Sequence, residues 1–266
     1  VVRLSNQQVK ELLKNKAIRE KLPRPVVAYV RPTVSNLDPL KSILLDEDVY
    51  VIGSGLSAYD LNWDWFSDKK TICINNTIKW FRNPTLHLFL DMPVLQEGGR
   101  VHGVPIVTKM GNQVDPRFGD VYHIKVGHRG RINSEPEKAG FFSSYSSTQV
   151  GIHLAQYLGA KRIFLIGVDQ KFMNYDECLE LEKFFEISPM HGNGLPKLSE
   201  QYLKLKKNNQ GFGHWYSPWF AHKRDKFESS YVKAGDMMTP LYQFQNIYQL
   251  SPIHNTGFPN FNIEDL

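Results

Sequence analysis

Residues 146–169 read SSTQVGIHLAQYLGAKRIFLIGVD, and the fold class follows from this stretch. Ser146, Ser147 and Thr148 are residues that cap helix starts, because their hydroxyls can accept from the free N–H groups of a first turn. Behind them Val150, Ile152, Leu154, Ala155 and Leu158 make an apolar helical face, and Gly159 supplies the stop. Residues 162–166 are a short apolar run of the buried-strand type, ending in Gly167, Val168 and Asp169. Helix, glycine turn and buried strand together make one unit of an alternating α/β chain.

The same grammar extends toward the amino end. Residues 49–52 are apolar and end at Gly53, Ser54 and Gly55, and 57–61 reads as a helix start. Residues 71–74 predict a second strand ending at Asn75 and Asn76, and 86–90 a third ending at Asp91. Residues 104–108 and 121–125 are further strands, and 237–248 read as a final helix before a loop that contains Ser251. Strands alternating with helices predict a mainly parallel, Rossmann-like sheet flanked by helices. Residues 1–45 read as an amino-terminal helical extension packed on the main domain. Residues 46–266 read as the main domain, with the polar, glycine- and asparagine-rich stretch 170–235 as a lid-like insertion carrying helical patches at 176–185 and 198–207.

Composition bounds the function classes. Hydrophobic residues at 41% and charged residues at 22% fit a globular domain, and no run approaches the ~20 apolar residues of a membrane span. A formal charge of +5 suits an anionic ligand, but the lysines and arginines are scattered, which argues against a nucleic-acid groove. Cys73 and Cys178 are too few for a disulfide framework, so a reducing compartment is expected. The acidic triplet Asp46, Glu47 and Asp48 precedes the first strand, on the wrong edge for a ligand. His191, His222 and His254 lack metal-ligand spacing, so a structural zinc is not expected.

In a parallel sheet, ligands sit outside the carboxyl ends of the strands. The residues there are small and polar: Gly53, Ser54, Gly55, Ser57, Asn75, Asn76, Asp91, Gly167 and Asp169, with Ser146, Ser147 and Thr148 at a helix start. Gly53-x-Gly55-x-x-Ala58 matches the loose dinucleotide pattern, in which backbone N–H groups approach a phosphate. The second strand ends in two asparagines rather than the ribose-binding carboxylate of a dehydrogenase, which demotes NAD and FAD.

Residues 51–57, VIGSGLS, resemble the opening motif of bacterial sialyltransferases of the Campylobacter type and of the related motility-accessory and MptE-like group. Ser54 and Leu56 stand where that family commonly has Asn and Pro. Residues 71–78 resemble its second strand, with Asn76, or Asn75 in the alternative register, as the nucleotide-contacting asparagine. Residues 84–91 resemble its third strand, and 146–169 match it most closely. His214, Trp215 and Tyr216 resemble the segment bearing the catalytic histidine, and Ser251-Pro252 the donor-binding loop.

This resemblance implies a GT-A-like variant of the fold and a metal-independent glycosyltransferase. The donor is a nucleotide sugar, with a CMP-linked sialic acid or related sugar as the model case. The acceptor is a hydroxyl of a glycan or other molecule. His214 is then the general base, and Tyr216 and Tyr145 support the leaving phosphate. The expected setting is cytoplasmic, and contact with the inner membrane face and homo-oligomerisation are both compatible with it. The alternatives are an MptE-like pterin diphosphokinase using ATP and Mg²⁺, and a nucleotide-binding module without catalysis.

Overall fold

The computed structural model describes residues 33–81, 83–91, 103–115, 118–128, 132–143, 146–192, 194–207 and 238–266. These all belong to the unit Pro32–Leu266. Its centre is a seven-stranded sheet built from β1 (Asp48–Ile52), β2 (Lys70–Ile74), β3 (Leu86–Phe89), β4 (Ile106–Lys109), β5 (Val121–Ile124), β8 (Arg162–Ile166) and β9 (Ile247–Gln249). The order is β5-β4-β3-β2-β1-β8-β9, and each neighbouring pair is parallel. A separate short parallel pair joins β6 (Val126–His128) to β7 (Phe141–Ser143). The fold is α/β and Rossmann-like, as the alternating pattern predicts.

The strands are short and apolar because both faces of the sheet are covered. Side chains alternate between faces with period two. Val49, Val51, Ile72, Ile74, Leu86, Leu88, Ile163 and Leu165 enter one core with the helices α1 (Asp38–Leu44) and α3 (Ser147–Tyr157). Tyr50, Ile52, Cys73, Phe164 and Ile166 enter a second core with α4 (Tyr175–Ile187). Among the described residues the remaining helices are α2 (Pro136–Ala139) and α5 (Leu198–Lys207).

α3 lies close on the sheet. A Cβ on Gly151 would come within 2.7 Å of Ile74 Cδ1, so the glycine sacrifices helix propensity to let the helix approach. The helix start is as read: the Ser146 hydroxyl accepts from the Thr148 N–H at 3.2 Å.

Two stretches pack into the cores, and two expected helices are displaced. Leu37, Leu40 and Leu44, from the end of the amino-terminal stretch, are fully buried in the first core. Cys178, Leu181, Phe184 and Leu198, from the described part of 170–235, line the second core. Tyr59 Oη donates to the Pro196 carbonyl at 2.9 Å and takes a hydrogen bond from Gln201, tying α5 down. The helix expected to start at 57–61 is one 3₁₀ turn, Leu56–Ala58, whose opening N–H groups are drawn to Asp169, and Leu61 then bridges His191. The final helix over 237–248 is instead a 3₁₀ turn, Thr239–Gln243, with proline in its first positions, followed by β9. There the backbone finds partners on β8 that a solvent-facing helix would forgo.

Candidate functional site

From β1 the chain runs outward through β2 to β5, then returns to the other side of β1 as β8. The topological switch point therefore lies between the carboxyl ends of β1 and β8, where such sheets hold ligands. The two loops that meet there are the glycine turn after Ile52 and the segment Gly167, Val168, Asp169. They are packed backbone to backbone. Gly53 N–H donates to the Ile166 carbonyl at 2.9 Å and Gly55 N–H to the Gly167 carbonyl at 2.7 Å. Asp169, buried at 2% exposure, accepts from the backbone N–H of Ser57 at 2.9 Å, from that of Leu56 and from the Ser57 hydroxyl. The Ser57 Oγ in turn accepts from the Gly167 N–H at 2.8 Å.

The physical chemistry read from the glycine pattern is therefore present, but its anion is internal. Backbone N–H groups of the turn gather around the carboxylate of Asp169. Gly53 and Gly55 are glycines because a Cβ would stand 2.3 Å from the Gly167 carbonyl oxygen and 2.4 Å from Asp169 Oδ2, respectively. The N–H groups of Gly53, Gly55, Leu56 and Ser57 are thereby committed to the chain itself.

Burial pushes the Asp169 carboxyl up from 3.8 to about 6, against the opposing pull of its hydrogen bonds from Ser57 and Leu56. A carboxyl raised in the folded state binds more protons there than in the unfolded chain. The cost of burying its charge is thus absent below pH 4 and complete above pH 6, so its contribution to stability falls as pH rises through that window. The limit is about 3 kcal/mol. Asp169→Asn is expected to flatten the fall in urea midpoint between pH 4.5 and 7 relative to the parent protein. An unchanged slope would show that Asp169 is not the group responsible.

Next to this junction, β2 ends beside β1, with Ile52 paired to Cys73. Asn75 follows in left-handed conformation, φ +52°, and begins the 3₁₀ turn Asn75–Lys79, which also carries Asn76. Asn75 Nδ2 donates to Ser147 Oγ at 3.4 Å, which brings the amino end of α3 to the same carboxyl rim. The Asn75 Oδ1 atom is buried and has no hydrogen-bond donor. Its backbone carbonyl accepts from His87 Nε2 at 2.9 Å. His87 is 2% exposed, and burial lowers its pKa to about 4, so the ring is neutral with its proton on Nε2.

The structure thus brings Gly53, Gly55, Ser57, Gly167 and Asp169 into one junction, and Asn75, Ser146, Ser147 and Thr148 into an adjacent group. Ser54, half-buried, occupies the tip of the glycine turn. Asp91 stands apart beyond β3, exposed and paired with Lys109 at 3.4 Å. Ser251 is fully buried, donating to the Ile253 carbonyl at 3.0 Å and accepting from the Ile253 N–H at 3.1 Å, so its hydroxyl shapes its own loop. That loop docks on the switch point, since Asn255 N–H donates to the Asp169 carbonyl at 2.8 Å. Tyr145, His214 and Tyr216 lie outside the described residues. Asp48, the end of the acidic triplet, opens β1 at the amino edge and is held by Arg162, whose Nε donates at 2.9 Å.

Two residues here escaped the sequence reading. His87 sits inside an apolar strand with no local pattern to mark it. Gln249, fully buried at the end of β9, donates to the Val168 carbonyl at 3.2 Å and leaves its Oε1 without a partner. Among the described residues, no group of three or more His, Cys, Asp or Glu side chains could hold a metal ion, and no helix is long and apolar enough to cross a membrane. The sequence matches no protein-family model, and no curated protein matches it significantly.

Proposed function

We propose that the chain is a sialyltransferase-like glycosyltransferase that moves a sugar from a nucleotide-linked donor to an acceptor hydroxyl. The observation that carries this reading is the pairing of Asn75 with Ser147 at the amino end of α3, beside the switch point of a parallel sheet. A helix amino end offers free N–H groups and a positive dipole end to a phosphate. A carboxamide whose oxygen lacks a donor suits the polar edge of a nucleoside. In this reading the glycine turn, locked by Asp169, forms the rigid floor of the site, and the donor phosphate lies toward Ser147 and Thr148.

Asn75 and Asn76 then hold the nucleoside, His214 removes the proton of the acceptor hydroxyl, and Tyr145 and Tyr216 support the leaving phosphate. Most of the rate gain comes from alignment of donor and acceptor and from exclusion of water, because hydrolysis competes with transfer. No step requires a metal. The reaction is placed in the cytoplasm, with the acceptor open to glycans and other hydroxyl-bearing molecules.

A thermal-shift panel of CMP-, UDP-, GDP- and ADP-linked sugars, and ATP with and without Mg²⁺, tests the reading. A donor at a hundred times its Kd stabilises by about 2.7 kcal/mol, which for a unit of this size raises Tm by about 5–10 °C. The expected result is a shift with one sugar nucleotide, independent of Mg²⁺. A shift with ATP and Mg²⁺ alone would transfer the assignment to the diphosphokinase chemistry, and no shift with any member would overturn both.

A further inference from the structure

We propose that His87 is a positioning residue, a buried latch that holds Asn75 in its left-handed conformation so that Asn75 Oδ1 is a fixed acceptor for an N–H or O–H of the nucleoside. This rests on the proposed nucleotide site and adds to it the residue that sets its geometry.

The argument starts from two unfavourable features at one residue. Asn75 has φ +52°, a conformation glycine takes without strain and asparagine only tolerates. Its amide oxygen is also buried without a donor. A turn selected for its shape alone would carry glycine and avoid both. The surroundings hold the strained state from two sides. His87 Nε2–H donates to the Asn75 carbonyl at 2.9 Å from the adjacent strand, where His87 is paired with Cys73. Asn75 Nδ2 donates to Ser147 Oγ at 3.4 Å, which turns the carboxamide so that nitrogen faces the helix and oxygen is left over.

A carboxamide with its nitrogen engaged and its oxygen unmet has one chemical need, a donor. Within a nucleotide that donor is an exocyclic base amine, a ring N–H or a ribose hydroxyl. His87 serves this purpose better than a charged residue would. It is enclosed by the sheet, and as a neutral ring its Nε2 can only donate to a carbonyl, so the latch persists across the neutral range. The Phe89 ring lies 5.3 Å from that of His87, so packing adds to the restraint.

Calorimetric titration of CMP, UMP and dCMP into the full chain and its variants decides the matter. Asn75→Gly keeps the backbone conformation without strain and removes the acceptor. It is expected to weaken CMP binding at least tenfold with no loss of Tm. His87→Gln places an N–H where Nε2 stood and is expected to bind CMP within about threefold of the parent. His87→Asn keeps a buried amide but is too short to reach the Asn75 carbonyl, and is expected to match the loss of Asn75→Gly. CMP stronger than UMP identifies a base amine as the donor, UMP stronger than CMP a ring N–H, and CMP equal to UMP but stronger than dCMP the ribose 2′-hydroxyl. If CMP binds the parent and His87→Asn alike, the latch is overturned while the nucleotide site stands. If none of the three nucleotides binds the parent, the site itself fails and the latch falls with it.

Discussion

Replacing Gly53 with alanine is expected to destabilise the protein by about 3 kcal/mol or more. The new Cβ would lie 2.3 Å from the Gly167 carbonyl oxygen, 3.0 Å from its carbon and 3.2 Å from Val168 Cγ2. Two of these three atoms are backbone and cannot swing aside. Relief requires β1 and β8 to part at their carboxyl ends, which breaks the 2.9 Å hydrogen bond from Gly53 N–H to the Ile166 carbonyl. Gly167→Ala meets the same wall from the other side, 2.4 Å from the Gly53 carbonyl oxygen, and adds the strain of φ +65°. Gly111→Ala is the control. Its φ is +93°, but nothing stands within 4 Å of the new methyl, so it carries conformational strain alone, about 1–2 kcal/mol. Urea denaturation measures all three. A Gly53→Ala protein as stable as the Gly111→Ala control would contradict the backbone-to-backbone packing at the switch point.

Removal of the imidazole at position 214 is expected to give the largest effect on activity. Under the proposed reaction His214→Ala lowers transfer by roughly 10²- to 10⁴-fold, the usual worth of a positioned general base. Donor affinity should change less than about threefold, because the base touches the acceptor rather than the nucleotide. The described histidines whose ring contacts are fixed already serve structure. His87 donates to Asn75, His123 Nε2 to the Asn112 carbonyl at 3.0 Å and His191 Nδ1 to the Asp60 carbonyl at 3.1 Å. His153 Nδ1 accepts from the Phe142 N–H at 2.9 Å, and the His254 ring bonds Asn260 and Thr256 through its two nitrogens. Single-turnover rates with the donor found in the thermal-shift panel, alongside a direct binding titration, separate the two effects. Transfer at near the parental rate would remove His214 from the chemistry. Equal loss of binding and rate would make it a donor contact instead.

Much of the architecture is legible without coordinates. Residues 146–169 carry a capped helix, a glycine stop and a buried strand in local order, and each is found where the pattern puts it. The period-two alternation of residues 49–52 and 162–166 already sorts the side chains into the two cores. The failures have a common cause. The 3₁₀ turn after Gly55 and the strand Ile247–Gln249 have ambiguous local patterns, and each is decided by a distant partner: Asp169 for the first, β8 for the second.

The sequence alone therefore determined the alternating elements, the parallel sheet and the polar carboxyl rim, because these rest on spacing between near neighbours. Only the tertiary structure decided what the rim residues do to one another. The glycine turn closes on a carboxylate 112 positions away, and Asn75 is held by a histidine on the next strand and a serine 72 positions on. Hydrogen bonds between such residues depend on which strands become neighbours, and strand order is settled by the burial of whole faces rather than by any local run of residues.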